Sequence, residues 1–132
     1  MVAETDLKAL LKNLTPVASA EDYVFTTLPK ANVSSELIAV AKGVFQESEG
    51  TTLIISATEA QRSALPFEGR FRCITCEVHS SLDAVGMTAA MSRALGDAGI
   101  SANVVAAFYH DHIFVPADKV DLAVQVLQKL GL

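Results

Sequence analysis

The chain has 132 residues, of which 51% are hydrophobic and 19% charged, and its formal net charge is −5. This length suits one compact domain or two very small ones that share an interface, and the apolar fraction predicts a packed core. The acidic balance argues against nucleic acid as a partner, because such binding needs a basic surface. No apolar run approaches the roughly 18 residues of a membrane span, and no secretory signal pattern opens the sequence, so we expect a cytoplasmic protein.

The first half of the sequence predicts helices and strands in alternation. Four leucines spaced i, i+3, i+4 and i+7 predict a helix over residues 5–14, with Thr5 as its N-cap. The run DYVFTTL at 22–28 predicts a strand. Residues 37–46 fit either a helix or a strand, and Gly43 favours a strand in their second half. The turn ESEG leads into a buried strand over 51–56, which predicts a hairpin, and a helix follows over 57–65.

The second half gives clearer patterns. Residues 71–79 predict a strand, and the apolar stripe from Met87 to Ala98 predicts a helix with Gly99 as its C-cap. Strands at 103–108 and 113–115 flank a turn, and Asp118 is expected to cap a final helix. The fold class is therefore α+β, with antiparallel sheets covered by helices, and we divide the chain into two domains over residues 1–66 and 67–132.

Cys73 and Cys76 form a CxxC spacing that the strand period argues against as a site. Side chains alternate between the two faces of a strand, so Cys73 shares a face with Thr75, and Cys76 with Ile74. Two thiols on opposite faces cannot form a disulfide or bind one metal ion. We expect two buried strand cysteines.

The segment Asp83-Ala84-Val85-Gly86-Met87, the helix after it and the string Gly99-Ile100-Ser101-Ala102-Asn103 resemble an ACT domain. Asp83, Gly86, Gly99 and Ile100 match the family pattern, whereas Val85 stands where proline is usual and Thr88 where leucine is usual. The longer string from Ser80 to Gly86, with Asn103 and residues 110–116, resembles a subgroup of small tandem ACT-domain proteins. In the first half the matching patches are residues 5–7, 23–25 and 49–53.

This resemblance implies two ferredoxin-like βαββαβ units and a regulatory module that binds an amino acid or a related small molecule, with no cofactor. It also implies a homo-oligomer with ligand at an interface. The chain's second half is expected to end in a helix without a last strand. The other half or a partner chain would then have to supply that strand.

The candidate ligand site is the turn before the helix at 87. A helix N-terminus offers unpaired amides that suit a carboxylate, Gly86 permits close backbone approach, and Asp83 could hold an ammonium group. Together with the family resemblance, these features define the predicted ligand contacts Ser80, Ser81, Leu82, Asp83, Val85, Gly86, Asn103 and Asp111. The alternative is that Ser80 and Asp83 only form a helix-capping arrangement.

The sequence HDH at 110–112 supports a second hypothesis from another class. His110 and His112 share a face of an extended strand, and His79 would complete a set of metal ligands in a metal-binding protein or metalloenzyme. Structural histidines or pH-sensitive ones are the alternatives. A third hypothesis is an assembly module without a small ligand. No nucleophile elbow, P-loop or dinucleotide motif is present, so we expect no enzyme.

Overall fold

The computed structural model describes residues 6–78 and 85–132, and the chain folds into two compact units. Unit 1 comprises the described residues up to Ala20 together with Arg72–Leu132, and unit 2 comprises Glu21–Phe71. The strand β1 (Pro16–Leu28) contributes its first five residues to unit 1 and the rest to unit 2. Unit 1 is therefore discontinuous in sequence.

Unit 2 is a three-stranded antiparallel sheet with two short helices. Along the chain, β1 is followed by α2 (Ser35–Val40), β2 (Gly43–Gln46), β3 (Thr51–Ser56) and α3 (Ala57–Arg62). The strand order is β2-β3-β1, with antiparallel pairing at both junctions. The segment 37–46 is thus helix in its first part and strand in its second, and the predicted hairpin at 43–56 is confirmed.

Unit 1 is a four-stranded sheet with helices. It contains α1 (Leu7–Lys12), the start of β1, β4 (Phe71–Cys76) from Arg72 onward, α4 (Met87–Asp97), β5 (Asn103–Ala106), β6 (Asp111–Pro116) and α5 (Val120–Gln128). Its strand order is β1-β4-β6-β5. The strand missing from the second half is therefore supplied by residues 16–20, which precede β4 by about fifty positions in the sequence.

The core of unit 1 lies between its sheet and its helices. Ile74 and Cys76 of β4 pack with Ile113 and Val115 of β6 because these positions share one sheet face. Helices α1, α4 and α5 cover this face. Each contributes fully buried side chains, namely Leu10, Met91, Leu95, Ala123 and Leu127. In unit 2 a smaller cluster joins Val24 and Ile55 to Ala57 and Ala60 of α3.

Three predicted helix caps differ from the structure. Asp6 is the N-cap of α1, where its carboxylate accepts a hydrogen bond from the Lys8 amide at 3.0 Å, and the predicted cap Thr5 lies outside the described residues. Gly99 is the residue after the C-cap Ala98, with φ +76°, and the Ile100 amide donates to Leu95 O in a Schellman arrangement. Asp118 does not cap α5, because a 3₁₀ turn over Ala117–Lys119 carries the chain directly into that helix.

None of the helices in the described ranges 6–78 and 85–132 is long and apolar enough to cross a bilayer.

Leu10→Ala tests whether the N-terminal helix is part of unit 1. Leu10 is fully buried in the core beside α4 and α5, so its truncation should lower the free energy of unfolding by about 2–5 kcal/mol. Leu122→Ala is the matched control, because Leu122 is 43% exposed on α5. Chemical denaturation of both variants measures the difference. Equal losses would contradict the packing of α1 against this core.

Candidate functional site

The candidate ligand site lies at the edge of unit 1 where α4 begins. Of its eight predicted contacts, Val85, Gly86, Asn103 and Asp111 are described, and Val85 is 83% exposed. Four contacts lie outside the described residues, as does the predicted metal ligand His79; they are Ser80, Ser81, Leu82 and Asp83. The geometry of the site therefore rests on the helix start and on the hairpin that holds Asp111.

Gly86 is the N-cap of α4 and adopts φ +98° and ψ −18°. A Cβ at this position would lie 3.1 Å from Leu7 Cδ2 of α1, so backbone angle and space both favour glycine. The capping alternative for Ser80 and Asp83 lies outside the described residues, and the N-cap that the structure gives α4 is Gly86. A glycine N-cap has no side-chain oxygen for the first-turn amides, which suits them to an external acceptor.

Asp111 lies beside the hairpin turn between β5 and β6, as predicted. The Ala107 amide donates to His110 O at 3.1 Å and closes this turn, and Asp111 then pairs with Ala106. The carboxyl is half-buried on the sheet face of Ile113, which is the face that the helices cover. Burial raises the pKa of Asp111, and the neighbouring imidazoles of His112 and His110 oppose this shift.

The turn also contains polar and aromatic groups that the sequence analysis did not assign to the site. His110 Nδ1 is buried and has no hydrogen-bond partner among the described residues. Phe108 and Tyr109 are 71% and 66% exposed, and their rings stack edge to face with centroids 5.0 Å apart. In the sequence, the signal for this turn is the pair Phe108-Tyr109 directly before the polar HDH string, because a solvent-facing turn rarely needs aromatic residues for its own folding.

Asn103 lies at the other end of the same hairpin. It pairs with Phe114, three residue pairs away from the Ala106–Asp111 pair, which is about 10 Å along the strands. Its side-chain amide donates to Phe114 O at 3.3 Å. The structure therefore brings Asp111 to one end of the hairpin and places Asn103 at the other.

His112 belongs to the opposite sheet face from Asp111. Its Nδ1 lies 3.1 Å from Thr75 Oγ1 and 3.9 Å from Cys73 Sγ, which confirms that Cys73 and Thr75 share a face. Cys76 points to the other side, where its Sγ lies 3.6 Å from Met91 Sδ. Within the part of the chain that the structure describes, no three His, Cys, Asp or Glu side chains come together as metal ligands.

Both cysteines are free thiols and are almost fully buried. Burial, reinforced by the nearby charges of Asp111 and Cys73, raises the pKa of Cys76 to about 12. The Cys76 thiol is therefore protonated at neutral pH and chemically quiet. The prediction that this CxxC consists of two buried strand cysteines is confirmed.

Comparison with known proteins identifies two regions of the chain that match family models. Residues 2–72 and residues 67–129 each match a family model described as an ACT domain. A crystal structure of a protein of unknown function from Vibrio cholerae, named as a possible transport protein, is 41% identical, with 96% of each chain covered and a TM-score of 0.84. A search of curated proteins returned no match.

Two more distant structures share the fold. A protein from Agrobacterium tumefaciens is 16% identical over 89% of each chain, with a TM-score of 0.71. The regulatory subunit of aspartate kinase from Thermus thermophilus, in its ligand-free form, is 10% identical over 90% of this chain and 98% of its own, with a TM-score of 0.65. At such identities the likeness shows the fold alone, and it confirms the predicted ferredoxin-like α+β class.

Gly86→Ala should destabilise the protein, and Gly96→Ala is its matched control on the same helix. An alanine at 86 would combine φ +98° with a 3.1 Å approach to Leu7, and we expect a loss of about 1–3 kcal/mol in unfolding free energy. Gly96 lies within α4 with open space around it, so alanine there should stabilise by about 0.5–1 kcal/mol. Thermal denaturation of both variants measures whether each substitution lowers or raises the stability of the protein. A stabilised Gly86→Ala protein would contradict the described helix start.

Asp111→Asn should change the pH dependence of stability. Because burial raises the pKa of Asp111, the folded state binds this proton more tightly than the unfolded chain, and the resulting stabilisation is lost as the pH rises through the raised pKa. The melting temperature of the variant relative to the natural protein should therefore be higher at pH 7 than at pH 4. Asp118→Asn is the control, because Asp118 is exposed in the same unit. Identical pH profiles for the natural protein and Asp111→Asn would contradict the assignment.

Proposed function

Because the chain belongs to the ACT-domain family, we propose that it is a regulatory protein whose unit 1 binds an amino acid at the start of α4. The single observation that carries the proposal is the position of Asp111. Its half-buried carboxyl lies at the hairpin turn, next in sequence to His110, whose Nδ1 is buried, in a sheet that packs under a helix with a glycine N-cap. A partly buried carboxylate costs stability, and a ligand ammonium would offset that cost.

In this proposal the two ends of an amino acid meet groups of opposite polarity. The first-turn amides of α4 donate to the ligand carboxylate, and Gly86 allows its close approach. Asp111 and Asp83 hold the ammonium group. Ser80, Ser81, Leu82 and Val85 line the turn around the ligand, and Asn103 is a contact only for a ligand long enough to reach the far end of the hairpin.

The output of binding would act on another protein. We propose no catalytic activity, a cytoplasmic location and a mechanism in which the ligand shifts the population of two arrangements. We also propose two sequence domains that divide at residues 66 and 67, next to the overlap of the two family matches at 67–72; the compact units differ from this division, because unit 1 also includes the described residues up to Ala20.

Self-association is also proposed, through the outer strand of unit 2. Among the described strands, β2 has only β3 as its neighbour, and its Phe45 is 69% exposed. Ile38 and Val40 of the preceding helix are each 48% exposed. An apolar strand edge with unpaired backbone groups favours pairing with a second copy.

A thermal-shift panel of the twenty amino acids tests the ligand class. A binding amino acid at 100 times its Kd should stabilise the folded state by about 2.7 kcal/mol. Asp111→Asn and Asp83→Asn should each weaken binding by roughly tenfold or more, because each removes a charged partner of the ammonium group. Asp118→Asn, which changes the same charge away from the turn, should bind normally.

No shift with any amino acid would contradict the proposal. If zinc stabilises the protein while amino acids do not, and His112→Ala abolishes the effect, the metal-binding hypothesis replaces it.

A further inference from the structure

An open groove of about 850 Å³ lies within unit 2, away from every residue assigned above. This volume falls within the range of roughly 300–1,000 Å³ that small-molecule sites occupy. Strands β1 and β3, the turn between β2 and β3, and the segment after α3 line it with the side chains of Phe25, Thr26, Thr27, Glu47, Thr52, Pro66, Phe67 and Glu68.

Hydrogen bonds hold the groove walls in place. Thr26 Oγ1 donates to Pro66 O at 2.7 Å and ties the segment after α3 to strand β1. Thr27 and Thr52 are cross-strand partners, which places two hydroxyl-bearing residues side by side. The Thr52 hydroxyl donates to the Glu47 carboxylate and fixes this acid at one end of the groove. The groove is therefore built on the sheet rather than on loops alone.

Two aromatic rings supply the apolar part of the lining. Phe25 is half-buried and contacts Phe71 edge to face, with ring centroids 5.3 Å apart. Phe67 is also half-buried, and the Arg70 guanidinium lies 6.0 Å from its ring centroid. The Arg70 guanidinium thus lies at the outer limit of cation–π distance from the Phe67 ring.

The charged side chains that line the groove are all negative. Glu47 and Glu68 are exposed carboxylates in its lining, and none of the described residues that line it is lysine or arginine. The nearby Arg70 is paired with Asp22 at 3.4 Å, so its charge has a partner outside the groove. The two carboxylates and the chain's net charge of −5 favour a cationic ligand over an anionic one in this groove.

We propose that this groove binds a small organic cation, namely a primary ammonium or guanidinium group on an aryl or alkyl body. The body would pack between Phe25 and Phe67, and the cation would lie between Glu47 and Glu68 with the threonine hydroxyls as neighbouring acceptors. This ligand class differs from the amino acid of unit 1, whose carboxylate the two glutamates would repel. The two sites can therefore fail or succeed independently.

Benzylammonium chloride is the probe, with benzyl alcohol and benzoate as neutral and anionic controls of the same shape. Titrations of the full chain, followed by NMR amide shifts, should show benzylammonium perturbing residues 26, 27, 52 and 67. The alcohol should bind more weakly and benzoate not at all. Increasing salt should weaken the benzylammonium complex, because its charge pairs are solvent-exposed.

Conservative variants assign the binding to the groove. Glu47→Gln and Glu68→Gln should each weaken benzylammonium binding about two- to fivefold, as expected for exposed charge pairs. Phe67→Leu should have an effect of about the same size through the lost ring. Glu49→Gln is the matched control, since Glu49 lies in the same turn as Glu47 but does not line the groove. Circular dichroism checks that each variant is folded.

Two outcomes would overturn the proposal. Equal affinities for benzylammonium and benzyl alcohol would show an apolar groove without cation selectivity. Absence of benzylammonium binding, or shifts confined to residues near Gly86 and Asp111, would show that unit 2 has no such site.

Discussion

The two-residue period of strands β4 and β6 is the constraint on which the chemistry of unit 1 depends. It sends Ile74, Cys76, Ile113 and Val115 into the core under the helices, and it sends Thr75 and His112 to the other face. The same alternation puts Asp111 on the helix-covered face, near enough to raise the pKa of the Cys76 thiol. A shift of register by one residue would exchange these faces and remove both the core and the candidate site.

Local patterns predicted most helices and strands. The sequence also predicted that the second half lacks a strand, but it did not predict which residues supply that strand. The stripe from Met87 to Leu95 and the hairpin at 43–56 follow from spacing and turn residues within one segment. The pairing of residues 16–20 into the sheet of unit 1 depends on hydrogen bonds between distant segments, such as Cys73 N to Ser19 Oγ at 3.0 Å and, just beyond the strand ends, Glu77 N to Thr15 O at 2.8 Å. Backbone pairing partners leave little trace in side-chain composition, so a sequence shows that a strand is missing before it shows which strand replaces it.

The sequence predicted the local features of the candidate site but not those that depend on strand register and packing. Asp111 at the hairpin turn follows from the alternation of apolar residues around it, and Gly86 follows from the helix that begins after it. The separation of Asn103 from Asp111 follows from strand register, which composition does not specify. The buried Nδ1 of His110 depends on the three-dimensional packing of one turn. The groove of unit 2 depends on a hydrogen bond between Thr26 and Pro66, which lie forty positions apart.

The carboxylates of the two candidate sites differ in their exposure to water, and this difference changes what a bound cation would gain at each site. Asp111 is half-buried, so its carboxylate is poorly solvated and the pKa of the group is raised; binding a cation there relieves an unfavourable state of the free protein. Glu47 and Glu68 are exposed, so water already stabilises them and a bound cation gains little beyond contact and screening. The groove of unit 2 would therefore gain selectivity for charge but little stability from a cation, whereas a cation at Asp111 would also offset the cost of a half-buried carboxylate.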